Sequence, residues 1–327
     1  MQIDKISKIN MNKFYCEQHI ILSSYFMNDK ICKILTVSDI HYHPNVDKGI
    51  FLMLIDYARK SSPDFIVIPG DLIETIEFIN YSSHKLFFER FIKELSEIAP
   101  ILFVPGNHDI ADNDAKSFIL KNFKTNLQAL RYFDSLNKLA NVYFLVNEQV
   151  RLNEMNFLGF SPRIETYRKK GDLKTNEMFA EDYLKSGLKM TSDGYNVLIT
   201  HSPILLTEPF ILNNICDFQK LTDLAITGHL HDAYLPKVLD RYVKNTNAGL
   251  FFAPYVSPFS GMICRGIHEY GRGYLFVSQG FRKWTTDTVF FNFIERYMAN
   301  DVEELFIKSV ELTHENDLAR KRVKKDD

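Results

Sequence analysis

The stretch at residues 31–41, ICKILTVSDIH, joins a short apolar run to an Asp-x-His pair at its carboxyl end. A run of this length that is rich in Ile, Leu and Val is typical of a buried β-strand. An apolar strand gives no folding reason for Asp39 and His41 to follow it, so these two residues indicate a functional site. The stretch therefore predicts a central strand that delivers polar side chains to one edge of a sheet.

The same arrangement occurs four more times along the chain. The further examples are DFIVIPGD at 64–71, PILFVPGNHD at 100–109, NVLITHSP at 196–203 and DLAITGHLH at 223–231. In α/β folds, the loops beyond the carboxyl ends of the strands meet in one crevice. The polar residues of the five motifs are therefore expected to lie together, although long intervals of sequence separate them.

Short β-branched runs alternate with longer segments of helical period, and this alternation predicts an α/β fold. The predicted strands are 31–38, 64–69, 101–104, 142–146, 156–160, 196–200, 223–227, 274–278 and 287–293. Helices are predicted at 47–61 and 83–98, and residues 112–140 are expected to form a helical insertion beside the site. We expect a single domain over residues 1–300, followed by a C-terminal helix and basic tail at 301–327.

The composition excludes several classes of protein. Lys and Arg number 39 against 41 Asp and Glu, a net charge of −2, which excludes a strongly basic nucleic-acid binder. A hydrophobic content of 46% is sufficient for a large core and excludes a disordered chain. The four cysteines form no CxxC pair, so buried reduced thiols are expected.

The sequence also predicts where the protein resides. No apolar run approaches the roughly 18 residues that a membrane span requires, so a cytoplasmic protein without a transmembrane segment is expected. Five basic residues at 320–325 are interpreted as part of a solvated tail.

The spacing within the motifs favours shared ligation of ions. In Asp39-x-His41 and His229-x-His231, alternate residues of an extended segment would point the same way and reach one ion. The glycines that precede the polar residues would permit tight turns; they are Gly70, Gly106 and Gly228.

The donors in the motifs are carboxylates, imidazoles and one amide, without a thiolate. This set suits Mn²⁺, Fe²⁺/Fe³⁺ or Zn²⁺ and argues against Ca²⁺, which prefers oxygen ligands. Two neighbouring ions need a shared carboxylate to offset their repulsion, and Asp71 is the natural bridge. Two metal ions about 3.5–4 Å apart can stabilise both the attacking and the leaving oxygen of an in-line displacement at phosphorus. The pattern therefore favours phosphoester hydrolysis.

Taken in order, the motifs resemble the calcineurin-like metallophosphoesterase family. The matching motifs are Asp39-x-His41, Gly70-Asp71, Gly106-Asn107-His108-Asp109, His201 and Gly228-His229-x-His231, within residues 36–231. The resemblance, which points to a bacterial branch, implies a four-layer metallophosphoesterase fold in which a two-sheet β-sandwich is flanked by helices. It also implies a dinuclear metal-dependent enzyme that hydrolyses phosphomono- or phosphodiester bonds.

The resemblance further implies a role for each motif residue. The implied ligands are Asp39, His41 and His231 for one ion, Asn107, His201 and His229 for the other, and Asp71 between the two. A hydroxide that bridges the ions would attack phosphorus, while His108 assists departure of the leaving group. Asp109 would orient His108.

His43 suggests a different class of enzyme. Asp39-x-His41-x-His43 also resembles the opening motif of amidohydrolases and PHP-type phosphoesterases, in which the second histidine is a ligand. Those enzymes are barrels with a different downstream set of residues, so we interpret His43 as a residue at the rim of the site.

Alternative functions and substrates follow from the same residues. A nuclease-type phosphodiesterase and a non-catalytic metal-binding scaffold share the implied fold, although the net charge of −2 disfavours nucleic acid as a substrate. A small-molecule phosphoester or a lipid-linked phosphate is favoured instead. Residues 266–280 weakly resemble a segment of UDP-diacylglucosamine pyrophosphatase-like proteins, and the aromatic loop 250–260 is expected to pack over the sandwich edge. No oligomeric state is predicted.

Overall fold

A computed structural model describes residues 5–11, 14–23, 31–44, 46–111, 125–167, 173–203, 206, 222–231, 265–281 and 300–309. The strands in these ranges are β1 Lys5–Met11, β2 Phe14–Ser23, β3 Cys32–Thr36, β4 Phe65–Ile68, β5 Ile101–Phe103, β6 Val142–Phe144, β7 Glu148–Leu152, β8 Met155–Gly159, β9 Tyr195–Ile199, β10 Leu224–Thr227, β11 Gly266–Tyr270, β12 Gly273–Val277 and β13 Asn300–Ser309. The α-helices are α1 Lys48–Ser61, α2 Ser82–Ser96, α3 Asn107–Ile110, α4 Leu127–Leu136 and α5 Leu173–Ser186. Short 3-10 helices lie at Ile76–Asn80 and Ile164–Tyr167.

The first sheet has seven strands in the order β1-β2-β13-β3-β4-β5-β6. Its strands β3, β4, β5 and β6 are parallel to one another. β13, the last described strand, lies between β2 and β3, parallel to β2 and antiparallel to β3. The carboxyl ends of β3, β4 and β5 therefore meet at one edge of this sheet.

The second sheet has six strands in the order β11-β12-β10-β9-β8-β7. Its four inner strands are parallel, and the antiparallel strands β11 and β7 lie at its two edges. β9 and β10 are buried along their whole length, which agrees with their mostly apolar sequences. The carboxyl ends of β9 and β10 thus lie side by side.

The two sheets pack face to face, and helices cover their outer faces. One apolar cluster joins the sheets, and within it the rings of Phe65 and Phe157 are 4.9 Å apart. A second cluster buries α1, α2 and α4 against the first sheet, and a third buries α5 against the second sheet. This arrangement of helices, sheet, sheet and helix confirms the predicted four-layer fold.

Local sequence signals explain where the helices begin and what they bury. The Asp47 side chain accepts a hydrogen bond from the Gly49 amide at the start of α1, and Asn126 caps α4 in the same way. α2 buries an apolar stripe at helical spacing, formed by Phe88, Phe91, Ile92 and Leu95. These signals account for the agreement between the predicted helices and α1 and α2.

Most predicted strands occur, but one boundary was wrong. Residues 301–309, expected to begin a C-terminal helix, form most of β13. The prediction failed because two glutamates, Glu303 and Glu304, are buried in this strand and conceal its alternating pattern. A domain boundary at residue 300 would cut through the first sheet.

Two predictions, the strand at 287–293 and residues 112–124 of the insertion, lie outside the described residues.

Two further predictions concern thiols and membranes. Cys16 and Cys32 are buried free cysteines, as expected, whereas Cys216 and Cys264 lie outside the described residues. Among the helices of the described ranges, none has the length and apolarity needed to cross a lipid bilayer.

Candidate metal centre

The polar residues of the five motifs lie together where strands of both sheets end. Asp39 and His41 follow β3, Asp71 follows β4, Asn107 begins α3 after β5, His201 follows β9, and His229 and His231 follow β10. Four of these side chains, Asp39, His41, Asp71 and His231, bring one potential ligand atom each within 4.8 Å of one another. Asp71, His201 and His229 do the same in a second group. Tertiary structure thus assembles two donor groups that share Asp71.

Asp71 contacts both groups directly. Its Oδ2 atom is 3.1 Å from Nε2 of His201 and 3.7 Å from Nε2 of His41. Its Oδ1 atom accepts a hydrogen bond from the His108 amide at 2.8 Å. The carboxylate is therefore held by the chain between the two donor groups.

The imidazole nitrogens face one another in two close pairs. Nε2 of His41 is 3.1 Å from Nε2 of His231, and Nδ1 of His229 is 3.1 Å from Nε2 of His201. On the far side of its ring, His201 donates from Nδ1 to the Pro69 carbonyl at 2.8 Å. Because a carbonyl can only accept, this bond keeps a proton on Nδ1 and turns Nε2 towards the centre, as in histidines that bind metals.

The backbone at the site is strained in a consistent way. Five of the motif residues have left-handed φ angles, namely Asp39 at 54°, His41 at 47°, Asp71 at 50°, His229 at 73° and His231 at 46°. Such angles cost roughly 1–3 kcal/mol each in residues other than glycine and persist only where the surroundings impose them. The prediction that extended segments aim the Asp-x-His and His-x-His pairs is therefore wrong, because left-handed turns orient these side chains.

Glycine is required at two of the turns. Gly70 has a φ of +97°, and a Cβ atom there would collide with the His201 ring. A Cβ atom on Gly228 would collide with Ser38 Oγ and lie 2.5 Å from Oδ2 of Asp39. These close approaches pack the strand ends of the two sheets against each other.

Asn107 supplies the test of whether a cation fits the site. Its Oδ1 atom is buried and has no hydrogen-bond partner among the described residues. A buried acceptor without a partner is costly, and metal coordination is one way to satisfy it. The two donor groups of the centre consist of carboxylate and imidazole groups, which suit divalent transition metals. The residues present therefore fit such ions.

Charges within the site shift the pKa values strongly. Burial alone would raise the pKa of Asp71, but His201 and His108 outweigh it and hold that pKa well below its usual range. Burial would lower the pKa of His201, yet the charge of Asp71 raises it to about 9. Burial and the neighbouring His201 lower the pKa of His229 to about 3. At neutral pH the centre thus presents an ionised Asp71 and a neutral His229.

His108 lies beside the two donor groups and belongs to neither. Its side chain is 20% exposed, its ring meets the His41 ring edge-on at 4.7 Å, and its Nδ1 is 3.5 Å from Oε1 of Glu74. Asp109 accepts hydrogen bonds from the Gly106 and Ile73 amides, which supports a role in fixing the loops. Orientation of His108 by Asp109 stays a prediction.

Two residues at the site were not predicted from the sequence. Glu74 joins His41 and His108 in a third group of potential ligands. The ring of Tyr167 lies 5.9 Å from that of His201 and 5.7 Å from that of His229. A signal for Glu74 was present, because it follows Asp71 by three positions at the same strand end. Tyr167 carries no such signal, since it reaches the site only through the fold.

Other residues considered from the sequence lie outside the donor groups. His43 is half-buried and is in none of the three groups found among the described residues. Arg163, a basic residue in the segment after β8, forms ion pairs with Asp182 and Glu181. The loop 250–260 lies outside the described residues.

Comparison with known proteins identifies the family. The sequence model of the calcineurin-like phosphoesterases matches residues 32–233, which is more than half of the chain and contains all seven implied ligands. The chain therefore belongs to the calcineurin-like phosphoesterase family.

Individual relatives are distant. An uncharacterized metallophosphoesterase of Campylobacter jejuni is 24% identical over 204 residues, which covers 62% of this chain and 44% of the relative. An uncharacterized metallophosphoesterase of Helicobacter pylori is 25% identical over 203 residues, which covers 62% of this chain and 45% of the relative. The chain thus spans less than half the length of these curated relatives.

Two solved structures are similar over part of the chain. A dimetal phosphatase from Danio rerio shares 12% identity at a TM-score of 0.35, covering 62% of this chain and 82% of its own. A purple acid phosphatase from yellow lupin, Lupinus luteus, shares 14% identity at a TM-score of 0.36, covering 66% of this chain and 40% of its own.

Proposed function

We propose that this protein is a dinuclear metal-dependent phosphohydrolase that cleaves phosphomono- or phosphodiester bonds. The observation that carries the proposal is the pair of buried donor groups joined at the Asp71 carboxylate. Membership of the calcineurin-like phosphoesterase family supports the same chemistry. The catalytic unit is proposed to be a single domain that includes β13.

The two donor groups divide the ligands between two divalent ions. We assign Asp39, His41 and His231 to one ion, Asn107, His201 and His229 to the other, and Asp71 to both. Mn²⁺, Fe²⁺/Fe³⁺ and Zn²⁺ all suit these donors, and Mn²⁺ is the ion that we propose for reconstitution. When bound, such ions polarise the phosphoryl group and supply a hydroxide nucleophile at neutral pH.

His108 is proposed to protonate or stabilise the departing oxygen. Burial would lower its pKa, but the charges of Asp71 and Glu74 outweigh burial and raise that pKa, which favours the protonated imidazole that a proton donor requires. Partial exposure of its side chain lets it meet a substrate, whereas His41, His201 and His231 are buried deeper in the centre. Proton donation by a positioned histidine contributes typically about 10²–10⁴-fold to rate.

The proposed substrate is a small-molecule phosphoester or a lipid-linked phosphate. A net charge of −2 supplies no general attraction for nucleic acid. Whether the enzyme prefers monoesters or diesters depends on how many substituents on phosphorus the crevice accepts, and substrate screening answers this directly.

The test is a screen of the metal-free protein reconstituted with Mn²⁺. Substrates are bis-aryl phosphate, aryl monophosphate, cyclic nucleotides, nucleotide-sugar pyrophosphates and DNA, with metal-free protein and Asp71→Asn as controls. We expect hydrolysis that requires Mn²⁺ and is lost in Asp71→Asn. Cleavage of the diester alone identifies a phosphodiesterase, and cleavage of DNA alone favours a nuclease. Stoichiometric ion binding with no hydrolysis of any substrate contradicts the proposal and favours a metal-binding scaffold.

A further inference from the structure

Glu303 is a buried carboxylate at the junction of the two sheets. It lies on β13, opposite Thr36 of β3 and beside Glu17 of β2, and is 0% exposed. On the same face of β13, Leu305 and Ile307 belong to the apolar cluster between the sheets. Because burial of a charged group is costly, hydrogen bonds must compensate the Glu303 carboxylate at this position.

The carboxylate of Glu303 holds a turn that belongs to the other sheet. Residues 278–281 follow β12, and Glu303 accepts hydrogen bonds from Ser278 Oγ at 3.0 Å and from the Gln279 amide at 2.8 Å. The Gln279 side chain donates to Oε2 of Glu17 at 2.6 Å. Two glutamates of the first sheet thus fix one short turn of the second sheet.

That turn contacts the chain on either side of the metal centre. The Ser278 amide donates to the Thr227 carbonyl at 2.8 Å, two residues before His229. The Phe281 amide donates to the Ser38 carbonyl at 2.7 Å, directly before Asp39. The turn therefore fastens the end of β10 to the end of β3, each of which leads into an implied ligand.

Both of these ligands need external support. Asp39 and His229 have left-handed φ angles, which the surroundings must impose. They also contact each other, because the His229 amide lies 3.1 Å from each carboxylate oxygen of Asp39. Ser38 Oγ donates a further hydrogen bond to Asp39. A displacement of the 278–281 turn would consequently move both ligands.

We propose that Glu303 is a positioning residue for the metal centre, which it supports by fixing the 278–281 turn and, through that turn, the backbone at Asp39 and His229. The inference rests on the proposed dinuclear centre. It adds to that proposal a residue that lies outside the segment 32–233 matched by the family. None of these hydrogen bonds joins Glu303 to an implied ligand. Replacing Glu303 is therefore expected to weaken ion binding and to loosen the backbone at the centre without removing a ligand atom.

The neighbouring residue provides a matched control. Glu304 lies on the same strand and is 2% exposed, but it faces the helices, where it accepts hydrogen bonds from Ser61 Oγ and, at 2.7 Å, from the Gln18 side chain. Its contacts lie on the helix side of the first sheet, away from the 278–281 turn. Glu304→Ala should therefore destabilise the fold without acting on the ion site.

The experiment compares Glu303→Ala, Glu303→Gln and Glu304→Ala with the unmodified protein. Titration calorimetry of the metal-free proteins measures the dissociation constant of Mn²⁺, and hydrogen exchange by mass spectrometry measures protection of residues 36–41 and 226–231. We expect Glu303→Ala to raise the dissociation constant at least about tenfold and to accelerate exchange in both segments. Glu303→Gln should recover most of the affinity, because its amide oxygen still accepts from Gln279.

The controls separate the possible outcomes. Glu304→Ala should lower the melting temperature but leave Mn²⁺ affinity and exchange in the two segments unchanged. Equal effects of the two alanine variants would overturn the inference, as would unaltered exchange in Glu303→Ala. Should Glu303→Ala fail to fold, Ser278→Ala takes its place, because it removes the hydrogen bond from Ser278 Oγ to Glu303, and unaltered exchange in Ser278→Ala overturns the inference. If the unmodified protein binds no Mn²⁺, the proposed function fails, whereas normal Mn²⁺ binding by Glu303→Ala refutes only the role of Glu303.

Discussion

Oε2 of Glu74 lies 2.8 Å from Nδ1 of His41, and the other oxygen of the same carboxylate lies 3.5 Å from Nδ1 of His108. One side chain thus contacts both an implied ion ligand and the proposed proton donor. Burial would raise the pKa of Glu74, but His108 and His41 lower it to about 2, so the carboxylate is charged at neutral pH. A charged partner on Nδ1 directs Nε2 of His41 towards His231 and Asp71.

Replacement of Glu74 by Gln should lower kcat by about 10–100-fold, because neutralising the partner of a ligating histidine weakens its orientation and basicity. Mn²⁺-dependent hydrolysis of an aryl phosphoester measures the effect. Glu77→Gln is the control, since Glu77 is exposed on the 3-10 helix that follows. Full activity of Glu74→Gln would show that the contact with His41 has no role in turnover.

His108→Ala should reduce kcat by roughly 10²–10⁴-fold and leave the ion content unchanged, because His108 lies outside the two groups that share Asp71. Steady-state kinetics and elemental analysis of the same preparation measure the two quantities. His84→Ala, on α2, serves as a control. A variant with unimpaired kcat that has lost its ions would reverse the assigned role.

Asn107→Ala should bind one ion instead of two. Because its Oδ1 has no hydrogen-bond partner among the described residues, the free energy of unfolding of the metal-free protein should change little. Elemental analysis gives the ion stoichiometry, and urea unfolding gives the stability.

Asn196→Ala is the matched control for Asn107→Ala. The Oδ1 atom of Asn196 accepts from the Asn156 side chain and the Thr191 amide, so its loss should cost about 1–3 kcal/mol while both ions remain. The assignment of Asn107 fails if Asn107→Ala retains two ions at unchanged affinity.

Gly228→Ala should disrupt the centre through packing. The added Cβ would overlap Ser38 Oγ and crowd Asp39, a form of overpacking that typically costs about 1–3 kcal/mol. We expect a lower free energy of unfolding together with weaker Mn²⁺ binding, measured by urea unfolding and calorimetry. In Gly49→Ala the nearest atom is Oδ1 of the Asp47 side chain at 3.1 Å, so Mn²⁺ binding should not change.

Because the Cys16 and Cys32 thiols are buried, the folded protein is expected to lose stability at high pH. Burial raises the pKa of Cys16 and Cys32 to about 12, against about 8.5 in an unfolded chain. A raised folded-state pKa means that their contribution to stability is complete below about pH 8.5 and is lost as the pH rises towards 12.

In a Cys216→Ser/Cys264→Ser background, Ellman's reagent should react with neither thiol at pH 8 unless urea is added. Rapid labelling of the folded protein would contradict the burial of both side chains.

Sequence patterns predicted the parts of the fold that depend on neighbouring residues. The apolar runs before Asp39 and Asp71 identified β3 and β4, since a strand that is buried on both faces is mostly apolar. β13 escaped prediction because its buried glutamates find their partners in other elements. The same reason explains why Glu303 showed no functional signal.

By itself, the sequence determined which side chains occupy the ends of the strands, and hence the chemistry available to the centre. Only the tertiary structure decided how those side chains are aimed. Left-handed turns at Asp39 and His229, rather than extended segments, direct these implied ligands, and Glu74 becomes a partner of His41 through a contact between separate loops. Strained backbone and long-range hydrogen bonds are properties of the packed molecule, because no local stretch of chain is stable in those conformations alone.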